Sequence, residues 1–242
     1  MIGSELGSRF DEVFSSSIRP WKDGSDPLSL LFSGGVDSGL IGWELRDRPN
    51  FVLSTVGTPG SPDLDAARTG AVVIGARWAP SELTAADVRE VSQRIAREVE
   101  GLPRTARSVL VSFALALERT PSHQVLCGQG ADELFLGYAH YRGLDAEAAA
   151  ARSESDLRQL LESDWPASQR IASQLGRAVA APYLDPEFIA AARSIPIERR
   201  MPDPAPKAFF REWATRRGLP PSIAFRPKRA LQFGSGVDRL VP

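Results

Sequence analysis

Apolar residues along this chain fall into short blocks with two different spacings. Leu28-Ser29-Leu30-Leu31-Phe32, Phe51–Val56 and Gln124–Cys127 are brief and dense, and each runs into a glycine-containing loop. Such runs bounded by turn residues predict buried strands. Elsewhere the apolar positions recur every three or four residues. Leu6, Phe10, Val13, Phe14 and Ile18 share one side of a helix over 6–18, whose simplest role is to pack on a core. Pro20 and the run Asp23-Gly24-Ser25-Asp26-Pro27 are expected to end it. Further helices are predicted over Gly39–Leu45, Asp63–Ile74, Ser108–Leu117 and Thr84–Val99, the last with Val88, Val91, Ile95 and Val99 on one face.

Strand alternating with helix predicts an α/β fold, a parallel sheet sandwiched by helices. Ligands of such sheets sit at the carboxyl ends of the strands. The Ser33 loop, the Gly57–Pro62 loop and the Gly128-Gln129-Gly130 loop all leave such ends and are predicted to converge on one crevice. After about Gly143 the character changes. Leu144–Ser163, Glu187–Ser194 and Ala208–Arg217 read as helices, with no further strand. The predicted division is an α/β core over 1–143, then a helical subdomain and C-terminal lid over 144–242 that serve the same site.

Composition narrows the class. A chain of 242 residues, 43% hydrophobic and 24% charged, is an ordinary globular sequence. Its net charge of -1 gives no basic field, and no aromatic interleaving points to a nucleic-acid partner. One cysteine, Cys127, excludes an intramolecular disulfide and suits a reducing compartment. No signal pattern opens the chain, and no apolar run reaches the roughly 18 residues of a membrane helix. A cytoplasmic location without membrane contact is the expectation.

The first candidate chemistry lies in Ser33-Gly34-Gly35-Val36-Asp37-Ser38, between a strand and a helix start. Glycines let the backbone approach a phosphate, and the N–H groups of the first helical turn then point at it. The hydroxyls of Ser33 and Ser38 add donors, and Asp37 can hold a magnesium ion beside the phosphates. No lysine follows the glycines, so the G-x-x-x-x-G-K-[ST] loop is absent. The pattern resembles the loop of ATP pyrophosphatases (N-type, PP-loop), which release pyrophosphate and leave AMP on the substrate.

A second segment runs Leu126-Cys127-Gly128-Gln129-Gly130-Ala131-Asp132-Glu133-Leu134-Phe135-Leu136-Gly137-Tyr138. It resembles the G-E-G-A/S-D-E-hydrophobic-F-x-G-Y signature of the synthetase domain of asparagine synthetases. Three more segments are similar to that family. They are Val56-Gly57-Thr58-Pro59-Gly60-Ser61-Pro62-Asp63-Leu64, Pro182-Tyr183-Leu184-Asp185, and Arg226-Pro227-Lys228 followed by Phe233-Gly234-Ser235-Gly236. The likeness covers about Leu28 to Gly236.

The resemblance implies a Rossmann-like, adenine-nucleotide-hydrolase-like fold and an ATP- and Mg2+-dependent ligase of asparagine biosynthesis. A carboxylate, aspartate in the family, attacks the α-phosphate of ATP. Pyrophosphate leaves, and ammonia or an amine then displaces AMP. By this likeness Ser33, Gly34, Gly35, Asp37 and Ser38 hold the pyrophosphate, and Asp37 and Asp132 bind magnesium. Lys228 is the catalytic lysine at the α-phosphate, with Asp132, Glu133 and Gln129 beside it. Val56, Cys127 and Gly128 contact adenine, and Lys207 faces the nucleotide. Acids such as Asp132 and Glu133 at a helix N-terminus also serve the helix dipole, and both roles are compatible.

Three departures bear on the substrate. Gln129 replaces the family's first acid, and an amide can position a nucleophile but cannot deprotonate it. In the run Gly176–Asp185, Ala178 and Ala180 stand where the family has Glu and Arg; Arg177 is a substitute from one position away. The family's glutaminase domain carries a cysteine after Met1, whereas here residue 2 is Ile2 and only residues 1–27 precede the first strand. Ammonia, another amine or a separate glutaminase subunit is then the expected nitrogen source. A homodimer stays open. So do two alternatives, an adenylating enzyme for a tRNA base or a ring-closing amide, and a nucleotide-binding regulator without catalysis.

Of the cations Arg199, Arg200, Lys207, Arg211, Arg216, Arg217, Arg226, Lys228 and Arg229, most are expected on a solvated face. Cys127 reads as a core residue, His123 and His140 as structural, and Phe233–Gly236 as a hinge of a segment that orders over ATP.

Overall fold

A computed structural model describes residues 4–98, 103–201, 205–227 and 231–241. The elements run α1 Ser4–Lys22, β1 Leu28–Leu31, α2 Val36–Leu45, β2 Phe51–Gly57, α3 Pro62–Ile74, β3 Arg77–Glu82, α4 Ala85–Glu98, α5 Arg104–Arg119, β4 Gln124–Leu126 and α6 Ala131–Leu134. Then follow α7 Ala146–Gln159, α8 Trp165–Gln174, β5 Ala178–Ala180, α9 Pro186–Arg193, α10 Ile197–Arg200, α11 Ala208–Arg216, α12 Pro221–Ala224 and α13 Leu231–Gly234.

All described strands are parallel, in the order β3-β2-β1-β4-β5. Alternation sorts the two faces. Leu28, Leu30, Phe32, Leu53 and Leu126 join one apolar layer with α1, α2, α3, α9 and α11. Leu31, Val56, Val125 and Cys127 join the other, with Val88, Val91 and Ile95 of α4 and Val111 and Leu115 of α5. The first layer is rich in rings: Phe10, Phe14, Phe135, Tyr183, Phe188, Phe209, Phe210 and Trp213 interlock at centroid distances of 4.5–6.3 Å. Buried ring pairs at such spacings add about 0.5–1.5 kcal/mol each beyond area burial. Phe10, Phe14 and Ile18 are buried as a core-packing helix requires, and Val13 is partly buried.

Several expectations are corrected. α1 runs through Pro20 to Lys22, so the Asp23–Pro27 run alone ends it. Two strands escaped the pattern. β3 (Arg77–Glu82) is charged, half-exposed and contains Pro80, yet pairs with β2 along its length as an edge strand, where proline is tolerated. β5 is three residues of Ala-Val-Ala that follow position 143 and extend the sheet beside β4. The sheet thus draws on both sides of that position. The helix expected over 144–163 is α7 followed by a π-helical turn at Leu160–Asp164 that leads into α8. Among the described residues no helix is long and apolar enough to cross a membrane.

Among the described C-terminal cations Arg199 and Arg216 are exposed, whereas Arg200, Arg211 and Arg217 are internal braces. Arg200 is buried and donates to the Leu134 carbonyl over 3.0 Å. Arg211 is buried and donates to the carbonyls of Pro206, Ala224 and Arg226. Arg217 reaches Asp11 and Glu44. A guanidinium has five donors in a fixed fork, and these carbonyls are short of partners where helices end.

Candidate active site

The chain leaves β1 for β2 and β3 on one side, then crosses back to β4 and β5 on the other. That reversal sets the Ser33 loop and the Gly128 loop side by side at the carboxyl ends of β1 and β4, where sheets of this kind bind ligands. Gly128 allows close approach of the two loops: a Cβ there would stand 3.1 Å from Asp37 Cβ and 3.2 Å from the Ser38 nitrogen, tighter than an ordinary contact.

The Ser33 loop is held from several directions. Gly34 has φ +73°, and a Cβ on it would lie 2.7 Å from the Ala66 carbonyl carbon in α3. Only glycine fits that combination of left-handed backbone and backbone contact. Ser38 Oγ accepts from the Ser33 N–H at 3.3 Å. Arg226 donates to the Ser33 carbonyl at 2.6 Å and reaches the Pro62 carbonyl and Asp63 Oδ1 at 3.3 Å each. Gly35 caps α2 without a side-chain hydrogen bond, so the N–H groups of its first turn keep the geometry of an anion cradle.

Asp37 and Asp132 converge. Lys207 Nζ lies 2.6 Å from Asp37 Oδ1 and 2.7 Å from Asp132 Oδ1, with its side chain 0% exposed. Burial pulls the ammonium down, but the charges of Asp132 and Asp37 outweigh it and hold Lys207 above the usual lysine range. Gly137 makes room, since a Cβ there would fall 1.9 Å from Asp132 Oδ1 and 2.2 Å from Lys207 Cε. Tyr183 is fully buried and donates from its hydroxyl to the Asp37 carbonyl at 2.7 Å. This tie was missed in the sequence; its only signal was the Pro182–Asp185 match.

Glu133 points elsewhere in the same loop and accepts from the Tyr138 hydroxyl at 2.6 Å. Burial, and then the charge of Asp132, push its carboxyl up to about 7. The Gln129 side-chain oxygen is buried without a hydrogen-bond partner among the described residues. An unpartnered buried acceptor costs about 1–3 kcal/mol, which marks the place as one that a ligand N–H could satisfy.

Val56 and Cys127 are both buried in the same apolar layer with Val237, so their side chains are core. Burial pushes the Cys127 thiol up to about 12, which leaves it protonated and inert. The described end of the C-terminal segment packs on the loop after β2. Ser235 is fully buried, and its carbonyl accepts from the Thr58 N–H at 2.8 Å. Cβ atoms on Gly234 and Gly236 would collide with Asp63 and Thr58 at 2.3 Å each, so these glycines serve close approach. Lys228 lies outside the described residues.

Arg177 does not face the carboxyl ends of the strands. Its guanidinium donates to the carbonyls of Leu117 and Ser122 at 3.3 and 3.1 Å, at the amino end of β4. It therefore does not replace the cation missing at Ala180. His123 accompanies it there, at 2.7 Å from the Gly176 carbonyl, and His140 pairs with Asp156.

The family model described as asparagine synthase matches residues 9–165 and 144–240. A Methanocaldococcus jannaschii protein assigned as a glutamine-hydrolysing asparagine synthetase is 26% identical over 276 residues, which takes in 98% of this chain and 51% of that protein. The Gallus gallus glutamine-hydrolysing asparagine synthetase is 27% identical, over 92% of this chain and 42% of its own length. The chain thus spans about half or less of these relatives. Among solved structures, an NH3-dependent NAD synthetase from Campylobacter jejuni matches with a TM-score of 0.39 and 14% identity, over 80% of this chain and 93% of that one.

Proposed function

Because this chain belongs to the asparagine synthase family, we propose that it adenylates a carboxylate with ATP, releases pyrophosphate and transfers nitrogen to the acyl carbon as AMP leaves. The convergence of Asp37 and Asp132 on one cation beside the Ser33–Ser38 cradle carries this reading. The pair fits magnesium: both donors are hard carboxylate oxygens, from adjacent strand ends, aimed at a single point. Asp37 and Asp132 would hold the ion, which supplies charge neutralisation for the triphosphate.

The chain's own groups do the rest. The N–H groups of the Gly34–Ser38 turn bind the leaving pyrophosphate, and the Arg226 brace fixes that turn. Positive charge from Lys207, and from Lys228 by family likeness, meets the charge that develops at the α-phosphate. Gln129 accepts an N–H of the incoming nitrogen through its unpartnered oxygen and orients it without taking the proton. The nitrogen arrives as ammonia or an amine.

A specific observation favours an acceptor other than aspartate. Ala180, at the carboxyl end of β5, offers no charge there, while Ala178 and Arg177 lie at the amino end beside Gln124 and Ser122. Binding an α-amino acid calls for a fixed cation at its carboxylate.

Pyrophosphate release should be followed with ATP, magnesium and ammonia, with aspartate and with a panel of other carboxylates, for wild type and Asp132→Asn. Carboxylate-dependent release that falls about 100-fold in the variant is expected, the scale of losing one charge-stabilising group. Release with aspartate alone would make asparagine the product. No release with any carboxylate would overturn the reading.

A further inference from the structure

The arrangement around Lys207 carries a consequence for how the site takes up its metal. Asp37 and Asp132 come from the first turns of α2 and α6, which follow different strands, and Lys207 comes from the start of α11. Its ammonium meets one oxygen of each carboxylate. The stem runs past Gly137, where even a methyl group would collide with it, and the ammonium lies 5.9 Å from the Phe210 ring centre. Lys207 adopts φ 60° and ψ 31°, a left-handed conformation that lysine rarely takes. Strain of that kind persists where the surroundings fix it, and here it aims a fully buried side chain at two acids.

A divalent ion would need the same oxygens, at the roughly 2.0–2.1 Å that magnesium demands. An ammonium at 2.6 and 2.7 Å from both of them already occupies that point. Two cations cannot share it without strong repulsion. We propose that Lys207 is a resident stand-in cation, which neutralises Asp37 and Asp132 until magnesium bound to nucleotide displaces it. This rests on the ATP-dependent reading above. Lysine suits the part: it is a compact charge on a flexible stem, so its ammonium can move to the phosphates while its backbone stays fixed. One charge then serves both states, and magnesium without nucleotide is held weakly.

The test measures metal binding and folding rather than turnover. Mn2+ is titrated by electron paramagnetic resonance into wild type and Lys207→Met, with no nucleotide. Wild type should bind weakly, and Lys207→Met at least about tenfold tighter, the effect of removing a competing charge. Magnesium alone should raise the melting temperature of the variant and leave wild type unmoved. Where Lys207→Met does not fold alone, refolding with and without magnesium replaces the titration; recovery only with magnesium supports the proposal, and none in either overturns it. Adding Asp132→Asn to the variant should abolish its gain for Mn2+. In wild type, a non-hydrolysable ATP analogue should tighten Mn2+ binding at least tenfold. Equal Mn2+ affinity in wild type and Lys207→Met, or tight binding by wild type without nucleotide, would overturn the proposal. Failure of the analogue to bind at all would instead count against the ATP reading, because the nucleotide-free comparison still reports on Lys207.

Discussion

Arg226 donates to the Ser33 carbonyl over 2.6 Å, although 193 residues separate them. The bond fixes the peptide that enters the Ser33–Ser38 turn, and the same guanidinium holds the start of α3 through Pro62 and Asp63. Arg226→Ala should therefore loosen the cradle. A charged hydrogen bond of this kind is worth about 1.5–3 kcal/mol, so the dissociation constant for ATP should rise roughly tenfold to a hundredfold. Calorimetric titration with ATP checks this, and an unchanged constant would detach Arg226 from the nucleotide.

Gly34→Ala is expected to be far more damaging than its size suggests. The new methyl would meet the α3 backbone at 2.7 Å, on a residue with φ +73°. Neither the contact nor the backbone angle can relax without moving the cradle. ATP binding should be lost while urea unfolding stays cooperative, with stability reduced by about 1–3 kcal/mol.

Tyr183→Phe separates positioning from folding. The change leaves the ring in its stack and deletes only the hydrogen bond to the Asp37 carbonyl, 2.7 Å long. About 1 kcal/mol of stability should go, read by urea denaturation. Magnesium-dependent nucleotide binding should weaken too, because Asp37 loses its anchor.

Cys127 should resist thiol reagents. Burial holds its thiol up to about 12, so the reactive thiolate is scarce until the pH approaches that value. Between pH 7 and 9 the native protein should react orders of magnitude more slowly with an aromatic disulfide reagent than the urea-unfolded chain does. Fast labelling of the native state would show that β4 opens readily.

The sequence made the central strands, the flanking helices and the cradle legible because each depends on its own neighbours. Dense apolar runs favour burial, and the glycines of Ser33–Ser38 between a strand and a helix start follow a local pattern. β3 and β5 were illegible for the converse reason. Arg77–Glu82 and Ala178–Ala180 have little strand preference of their own and become strands because β2 and β4 offer unpaired edges.

The same division runs through the site. By itself the sequence determined that Asp37, Asp132 and Lys207 are present in motifs suited to nucleotide chemistry. It also determined that residues 129, 178 and 180 depart from the family pattern. Only the tertiary structure decided that Lys207 stands between the two acids, that Arg177 turns to the amino end of β4, and that Gly234 and Gly236 pack closely against Asp63 and Thr58. Residue type sets which charges a chain carries. Which charges meet depends on contacts between residues 75 and 170 positions apart, such as Lys207 with Asp132 and with Asp37, and those are set by packing rather than by local pattern.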